Sequence, residues 1–263
     1  AYNMYAALFY GKRKEDPMNE DKRFAVLIDA DNVSARYIKP ILDELSNDGI
    51  ITYKRIYGDW TKPELAPWKS VLLNYSITPI QQYNYTTGKN STDSAMIIDA
   101  MDILYGGNVD GFCIVSSDSD FTRLAARLRE SGMYVIGMGE KKTPNPFIAA
   151  CNRFLQLEVI SGVDGDHDNS EQRRTASENE THLLSKETVR KAFAAILTEI
   201  SDEDGWANLS QAGNILTKRF PSFDVRSFGF MKLTPFIKSL GAFEITSVPS
   251  ERGNVRVVYV RNK

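Results

Sequence analysis

Short apolar runs alternate along the first 160 residues with longer segments in which apolar residues recur at helical spacing. This alternation predicts βαβ units and a parallel sheet. We predict strands at 24–29, 51–57, 77–82, 111–116, 133–138 and near 154–158, and helices at 34–48, 64–75, 92–105, 119–131 and 145–152. The expected fold is therefore an α/β, three-layer α/β/α domain with a mostly parallel sheet. Right-handed crossovers would place every strand-to-helix turn at the same edge of that sheet.

The pattern changes after this region. Residues 161–182 are polar and nearly free of large apolar side chains, so we interpret them as a linker. Beyond them the sequence predicts helices at 187–200, 206–220 and 228–240, and a hairpin from Phe243 to Val260. This order is typical of a small winged-helix α+β domain. The predicted divisions are an N-terminal arm (1–21), an α/β domain (22–160), the linker (161–182) and the winged-helix domain (183–263).

Composition excludes several classes of protein. The chain has 263 residues and a formal net charge of −2, so its overall charge does not favour a polyanion. Residues 183–263, however, contain twelve Lys or Arg against eight Asp or Glu. Two cysteines rule out a disulfide framework, and both histidines lie in the linker, which disfavours a zinc site. No apolar run approaches the roughly 20 residues of a membrane span, so we predict a cytoplasmic protein without a membrane partner.

Acidic residues follow the predicted strands. Asp29 ends the first apolar run, Asp118 and Asp120 follow the fourth, and Asp93 begins the third predicted helix. Ligands of open α/β sheets bind outside the carboxyl ends of the strands, so these carboxylates are expected to converge. Carboxylates crowded together repel one another, and Mg²⁺ or Mn²⁺ would relieve that repulsion. The sequence therefore predicts a metal site that could activate water for phosphodiester hydrolysis.

Ordinary structural roles also explain several of these residues. Asp93 could be a first-turn acid, Asp120 could cap the following helix, and Thr92 could cap the third helix. Asp29 is hardest to explain structurally, because an acid at the end of an apolar strand is costly unless it is paired. The residues considered for a supporting role beside the metal are Asp31, Asn32, Ser116, Ser117 and Asp99. Asp99 is expected to point away from Asp93.

Three motifs in this order carry a family resemblance: "VLIDADNV", "GKNSTDSAMIIDAMD" and "IVSSDSDFTRLAARLRESG". Together they resemble the NYN branch of the PIN-like nuclease superfamily, in its LabA-like group, over about residues 24–158. The resemblance implies a metal-dependent ribonuclease whose metal ligands match Asp29, Asp93, Asp118 and Asp120.

The C-terminal segment is similar, less specifically, to a LOTUS (OST-HTH) domain, a winged-helix RNA-binding module. The similar pieces are "LLSKETVRKAFAAIL", "DGWANLSQAGNILTKRFPSFDVRSFGFMKLTPFIKSL" and "VRVVYVR". This similarity implies RNA as the partner.

Candidate RNA contacts lie in both domains. The loop before Asp93 offers Tyr83 and Tyr85 for base stacking and Lys89 for a phosphate, and Arg123 lies near the last acids. The C-terminal candidates are Lys218, Arg219, Arg226 and Lys232. Unpaired bases can stack on tyrosines, so single-stranded RNA is the expected substrate.

Two other functions fit parts of the pattern. Asp29-Ala30-Asp31 also suits a haloacid-dehalogenase-like phosphatase, in which Asp29 would be the nucleophile. A non-catalytic RNA-binding or scaffold protein would need only the C-terminal domain. A homodimer, and protein partners of the C-terminal domain, are compatible with the sequence.

Overall fold

The computed structural model describes residues 21–83, 91–162, 184–249 and 256–263. The N-terminal domain (21–83 and 91–162) contains a six-stranded sheet in which every neighbouring pair is parallel. Its strands are β1 (Lys22–Asp29), β2 (Gly49–Gly58), β3 (Thr78–Gln81), β4 (Gly111–Val115), β5 (Tyr134–Gly139) and β6 (Arg153–Gln156). They lie in the order β3-β2-β1-β4-β5-β6, so the chain reverses its direction of growth between β1 and β4. A crevice at that reversal, outside the carboxyl ends of the strands, is where such sheets bind ligands.

Helices cover both faces of the sheet. One face carries α1 (Ile38–Ser46), α2 (Trp68–Asn74) and α6 (Leu157–Ser161), and the other carries α3 (Ser91–Gly106), α4 (Thr122–Glu130) and α5 (Asn145–Ala150). Successive residues of a strand point to opposite faces. Val26 and Ile28 of β1 accordingly pack in one apolar cluster, and Ala25 and Leu27 in the other. The predicted three-layer α/β/α fold is confirmed. None of the helices in the described ranges is long and apolar enough to cross a membrane.

Several predicted element boundaries were wrong. The helices predicted from 34, 64 and 119 each open with a separate 3-10 turn, at Ala35–Tyr37, Pro63–Leu65 and Ser119–Phe121. Pro67, which has no backbone N–H to donate, precedes α2. The strand predicted near 154–158 ends at Gln156, and the next residues form α6.

The C-terminal domain (184–249 and 256–263) is a small α+β unit. It contains α7 (Lys186–Ile200), β7 (Ala207–Asn208), α8 (Leu209–Arg219), α9 (Leu233–Ser239), β8 (Phe243–Pro249) and β9 (Arg256–Asn262). Its antiparallel strands lie in the order β7-β9-β8. Phe193, Leu216 and Phe236 are fully buried in its core. The predicted small α+β domain of winged-helix plan is confirmed.

Two helices of this domain begin later than predicted. Ala207 and Asn208 pair with β9 instead of starting a helix at 206, and the Asn208 side chain then accepts hydrogen bonds from the Ser210 and Gln211 N–H groups. Asn at this position caps the start of α8. The helix predicted from 228 begins at Leu233, because a 3-10 turn at Val225–Phe228 ends in Gly229 with φ +81°. That backbone conformation favours glycine and stops the helix.

The two domains touch at the edge of the parallel sheet. The Phe154 N–H of edge strand β6 donates to the Pro221 carbonyl at 2.8 Å. Arg226 donates to both carboxylate oxygens of Glu44 on α1, at 2.8 and 3.0 Å. Glu44 also accepts from Arg153, at 2.9 Å, so one carboxylate binds arginines from both domains. The predicted arm (1–21) and linker (161–182) lie almost wholly outside the described residues.

Candidate metal centre

Three carboxylates meet at the carboxyl edge of the sheet. Asp93 lies in the first turn of α3, while Asp118 and Asp120 lie in the turn that follows β4. One carboxylate oxygen from each of the three lies within 4.8 Å of the others. Several hard oxygen ligands at this separation suit a cation such as Mg²⁺ or Mn²⁺. Asp93 is brought to the other two by the fold, since the turn after β4 is more than 20 residues further along the chain.

Hydrogen bonds fix the turn that holds Asp118 and Asp120. The Asp118 carboxylate accepts from the Asp120 N–H at 2.9 Å, and the Asp118 N–H donates to the Ser116 hydroxyl at 3.1 Å. Asp118 is thereby the cap of the 3-10 turn that begins at Ser119. Both structural and metal-binding roles fit the same residue, because the cap uses one carboxylate oxygen and the second is left for another contact.

Asp29 is fully buried and is not one of the three clustered carboxylates. One of its oxygens accepts from the Asn32 amide and the Ser116 hydroxyl, each at 2.7 Å, and the other accepts from the Asp31 N–H at 3.1 Å. Burial raises the pKa of Asp29, and these hydrogen bonds oppose the rise. Ser116 therefore joins Asp29 on β1 to the turn that carries Asp118.

The crowding of acids is strongest at Asp93. Burial, followed by the negative charges of Asp29, Asp118, Asp120 and Asp31, raises its pKa to about 6. A carboxyl pKa raised in this way means that nearby positive charge does not balance the ionised form of Asp93. A divalent cation held by Asp93, Asp118 and Asp120 would supply the missing positive charge, so the residues present fit a metal ion.

Replacing Asp93 by Asn is expected to stabilise the metal-free protein at pH 8. The folded-state pKa of about 6 exceeds the ordinary value of 3.8, so the folded protein binds the proton more tightly and loses stability as the pH rises from about 4 to about 6. Asp93 is half-buried, and solvent screening limits the gain in melting temperature to roughly 1–3 °C. Thermal unfolding in EDTA would measure it. Asp102→Asn, at an exposed position of the same helix, should change nothing, and a lower melting temperature for Asp93→Asn would contradict the pKa assignment.

Asp31 has partners that the sequence did not suggest. Its carboxylate accepts from the Thr92 hydroxyl at 3.0 Å and pairs with Lys62 at 3.2 Å. The prediction that Thr92 caps the third helix was wrong, because α3 begins at Ser91 and the Thr92 hydroxyl reaches across to Asp31. These contacts connect β1, the segment after β2, and the start of α3. They hold Asp93 at the edge of the sheet.

The other residues predicted to support the metal site have different hydrogen-bond partners. Asn32 contacts Asp29 directly, and Ser117 accepts from the Glu140 N–H at 2.9 Å, which ties the turn after β4 to the end of β5. Asp99 accepts from Arg55 and from the Tyr57 hydroxyl, both on β2. Asp99 thus joins α3 to the sheet, in a role that the sequence did not reveal.

The candidate RNA contacts of the N-terminal domain are only partly described. Tyr85 and Lys89 lie outside the described residues. Tyr83, two residues after the end of β3, is 54% exposed. Arg123 is exposed on α4, three residues after Asp120. Tyr83 and Arg123 are thus accessible from solvent on the side of the sheet where the acids lie.

The candidate contacts of the C-terminal domain separate into two kinds. Lys218 and Lys232 are exposed. Arg219 pairs with Glu199 on α7, and Arg226 pairs with Asp224 and Glu44. The guanidinium of Arg226 is occupied by an interdomain contact, and an RNA contact by this residue stays a prediction. A spacing pattern could not show that contact, since Glu44 is 182 residues away.

Comparison with known proteins agrees with both motif resemblances. Residues 23–158 match the NYN domain family, and residues 185–255 match the OST-HTH/LOTUS domain family. No curated protein matches the chain.

Two solved structures are similar to parts of this chain. A protein of unknown function from Vibrio parahaemolyticus is 18% identical over 54% of this chain and 96% of its own, with a TM-score of 0.46. An uncharacterized protein from Nitrosomonas europaea is 32% identical over 38% of this chain and 92% of its own, with a TM-score of 0.27. At these TM-scores neither likeness identifies a fold.

Proposed function

The chain belongs to the NYN domain family and carries a C-terminal OST-HTH/LOTUS domain. We therefore propose that it is a metal-dependent ribonuclease that acts on single-stranded RNA. The NYN family consists of PIN-like nucleases, and OST-HTH/LOTUS domains are RNA-binding modules. Family membership supports a ribonuclease with an RNA-binding module. Our proposal extends this to a need for Mg²⁺ or Mn²⁺ and to a single-stranded substrate.

The observation that carries the proposal is the convergence of Asp93, Asp118 and Asp120 within 4.8 Å at the carboxyl edge of the sheet. We propose these three carboxylates as the ligands of Mg²⁺ or Mn²⁺. Asp29 is not exposed, so we propose that it supports the site through Ser116, whose hydroxyl donates to Asp29 and accepts from the Asp118 N–H. Its three hydrogen bonds fix its position and so help to orient the turn that carries Asp118.

The chemistry proposed is hydrolysis of a phosphodiester bond by water. When bound, a divalent cation lowers the pKa of water and offsets negative charge on the phosphate. We propose that one of these carboxylates also orients the attacking water by accepting a hydrogen bond from it. Lys62 and Arg123 place positive charge near the acids, where a polyanionic substrate must approach.

The buried state of Asp29 disfavours the phosphatase alternative. A phosphoaspartyl enzyme needs a carboxylate that reaches phosphorus, whereas Asp29 is 0% exposed and both of its oxygens accept hydrogen bonds. The non-catalytic alternative is an RNA-binding or scaffold protein. Only a measurement of RNA cleavage distinguishes it from the nuclease.

Cleavage of end-labelled single-stranded RNA tests the proposal. The intact chain and an Asp29→Asn/Asp118→Asn double variant would be compared in Mn²⁺, Mg²⁺ and EDTA. The proposal expects cleavage by the intact chain in Mn²⁺ or Mg²⁺, none in EDTA, and none by the variant. RNA binding without cleavage by either protein would instead favour the non-catalytic alternative.

Several predictions from the sequence remain predictions. They are the cytoplasmic location, a homodimer, and protein partners of the C-terminal domain. Analytical ultracentrifugation of the intact chain would show whether it forms a homodimer.

A further inference from the structure

A groove of about 1150 Å³ runs between the two domains. On the N-terminal domain it is lined by the end of α4, the start of β5 and the segment between α5 and β6. On the C-terminal domain it is lined by one side of α8 and by the chain that follows. Tyr134, the first residue of β5, belongs to this lining, so the groove lies at the amino ends of the strands. The clustered acids lie at the opposite, carboxyl ends.

Interdomain contacts hold the two walls together. The hydrogen bond from Phe154 to Pro221 continues the edge of the sheet into the C-terminal domain. Glu44 binds Arg153 from one domain and Arg226 from the other, and Asp48 and Asp224 supply further carboxylates to these two arginines. Arg153 and Arg226 are therefore neutralised, and they stabilise the groove without attracting a ligand.

The positive charge of the other basic side chains in the groove is less fully neutralised by acidic partners. Lys218 makes no ion pair with any residue in the described ranges. Within the described part of the chain, Arg129 donates to neutral groups alone, the carbonyls of Ala149 and Ala150, at 3.1 and 3.2 Å. Arg219 pairs with Glu199, but both side chains are about half exposed, and such a surface pair contributes little. The groove thus has a net positive charge in a protein whose overall charge is −2.

The neutral residues of the groove suit a phosphate backbone better than bases. Ser210, Asn214 and Thr217 share the side of α8 that faces the groove, and hydroxyl and amide groups of this kind commonly contact phosphate and sugar. The aromatic side chains in the lining are poor platforms for base stacking, because Phe223 is 9% exposed and Tyr134 is half-buried beneath Lys22. Recognition here would depend on charge and not on base identity.

We propose that this interdomain groove binds the sugar–phosphate backbone of single-stranded RNA, with Lys218 and Arg129 as its phosphate contacts. This proposal rests on the proposed function, in that RNA is the substrate. A strand as long as β5 spans about 20 Å, so RNA in the groove must extend at least that far to reach the acids. The groove therefore favours long RNA over short RNA.

The test measures RNA binding by the full chain in EDTA, so that cleavage does not interfere. Fluorescence anisotropy would give the Kd for oligonucleotides of about 6 and about 30 nucleotides over a series of salt concentrations. The variants are Lys218→Gln, Arg129→Gln and the double variant. The matched control is Lys238→Gln, an exposed lysine in the last turn of α9 that does not line the groove. Arg129→Lys, which keeps the charge, separates a charge effect from the loss of the carbonyl contacts.

Each neutralising substitution is expected to weaken binding of the long RNA roughly fivefold at moderate salt and to lower the slope of log K against log salt by about 0.7. The preference for long over short RNA should shrink in the double variant. Lys238→Gln should match the parent, and Arg129→Lys should restore most of the affinity.

Three results would each overturn the proposal. The double variant could keep the parent's affinity and salt slope, Lys238→Gln could lose as much affinity as the groove variants, or the parent could fail to bind long RNA. Cleavage by the parent tests the nuclease separately. Metal-dependent cleavage with unchanged binding in the double variant would refute the groove alone, and weakened binding without any cleavage by the parent would refute the nuclease alone.

Discussion

Replacing Asp118 by Asn is expected to lower the rate of metal-dependent RNA cleavage by about 10²- to 10³-fold. Asp118 belongs to the carboxylate cluster, and its neighbour Ser116 connects it to Asp29. Asparagine keeps the carbonyl oxygen that accepts from the Asp120 N–H, so the turn after β4 should retain its shape. The loss would then reflect the missing negative charge, and it should exceed the 10- to 100-fold effect usual for residues that only support a metal ligand.

Single-turnover cleavage at saturating Mn²⁺ would measure this loss, with circular dichroism to establish that the variant is folded. Asp102→Asn removes an exposed carboxylate from α3 and is the matched control. Equal rates for Asp118→Asn and the parent would show that the clustered acids are not the catalytic site.

Replacing Glu44 by Ala is expected to cost about 1–3 kcal/mol of stability and to weaken the contact between the domains. Its carboxylate is 15% exposed and accepts from Arg153 and Arg226. Removing one partner of a buried pair usually costs 3–5 kcal/mol, because the other charge is left alone. The cost is smaller here, since Arg153 keeps Asp48 and Arg226 keeps Asp224.

Calorimetry of the full chain would show the effect as a lower melting temperature, and as separate transitions for the two domains if Glu44 is what couples them. The matched control is Glu199→Ala, which breaks an exposed ion pair with Arg219 and should cost less than about 1 kcal/mol. Indistinguishable curves for the two variants would mean that the contact at Glu44 does not join the domains.

The arrangement of the N-terminal domain was largely predictable because β1, β4 and β5 are buried on both faces. Such strands are continuous apolar runs, and the end of each run is marked by a polar turn, as after Val115. Parallel strands deliver those turns to one edge, so proximity of Asp93 to Asp118 follows from the topology. The 3-10 turns at the starts of helices were missed, because a single tight turn has the same apolar spacing as the helix that follows it.

Contacts between distant elements could not be predicted. Nothing in the local sequence connects Asp31 with Thr92, 61 residues away, or Arg226 with Glu44, 182 residues away. The same reason explains Asp29: an acid at the end of a strand can face solvent or be buried, and the sequence did not show that Asn32 and Ser116 would be placed to bond a buried carboxylate. Charge counts likewise suggested a basic C-terminal domain but did not show that Arg226 is neutralised.

The most direct test of the central claim is anomalous diffraction from a crystal of the intact chain soaked in Mn²⁺. We predict an anomalous peak within coordination distance of Asp93, Asp118 and Asp120, and its loss in Asp93→Asn crystals treated in the same way. No peak at these residues at saturating Mn²⁺, with one elsewhere or none at all, would contradict a metal centre at this edge of the sheet.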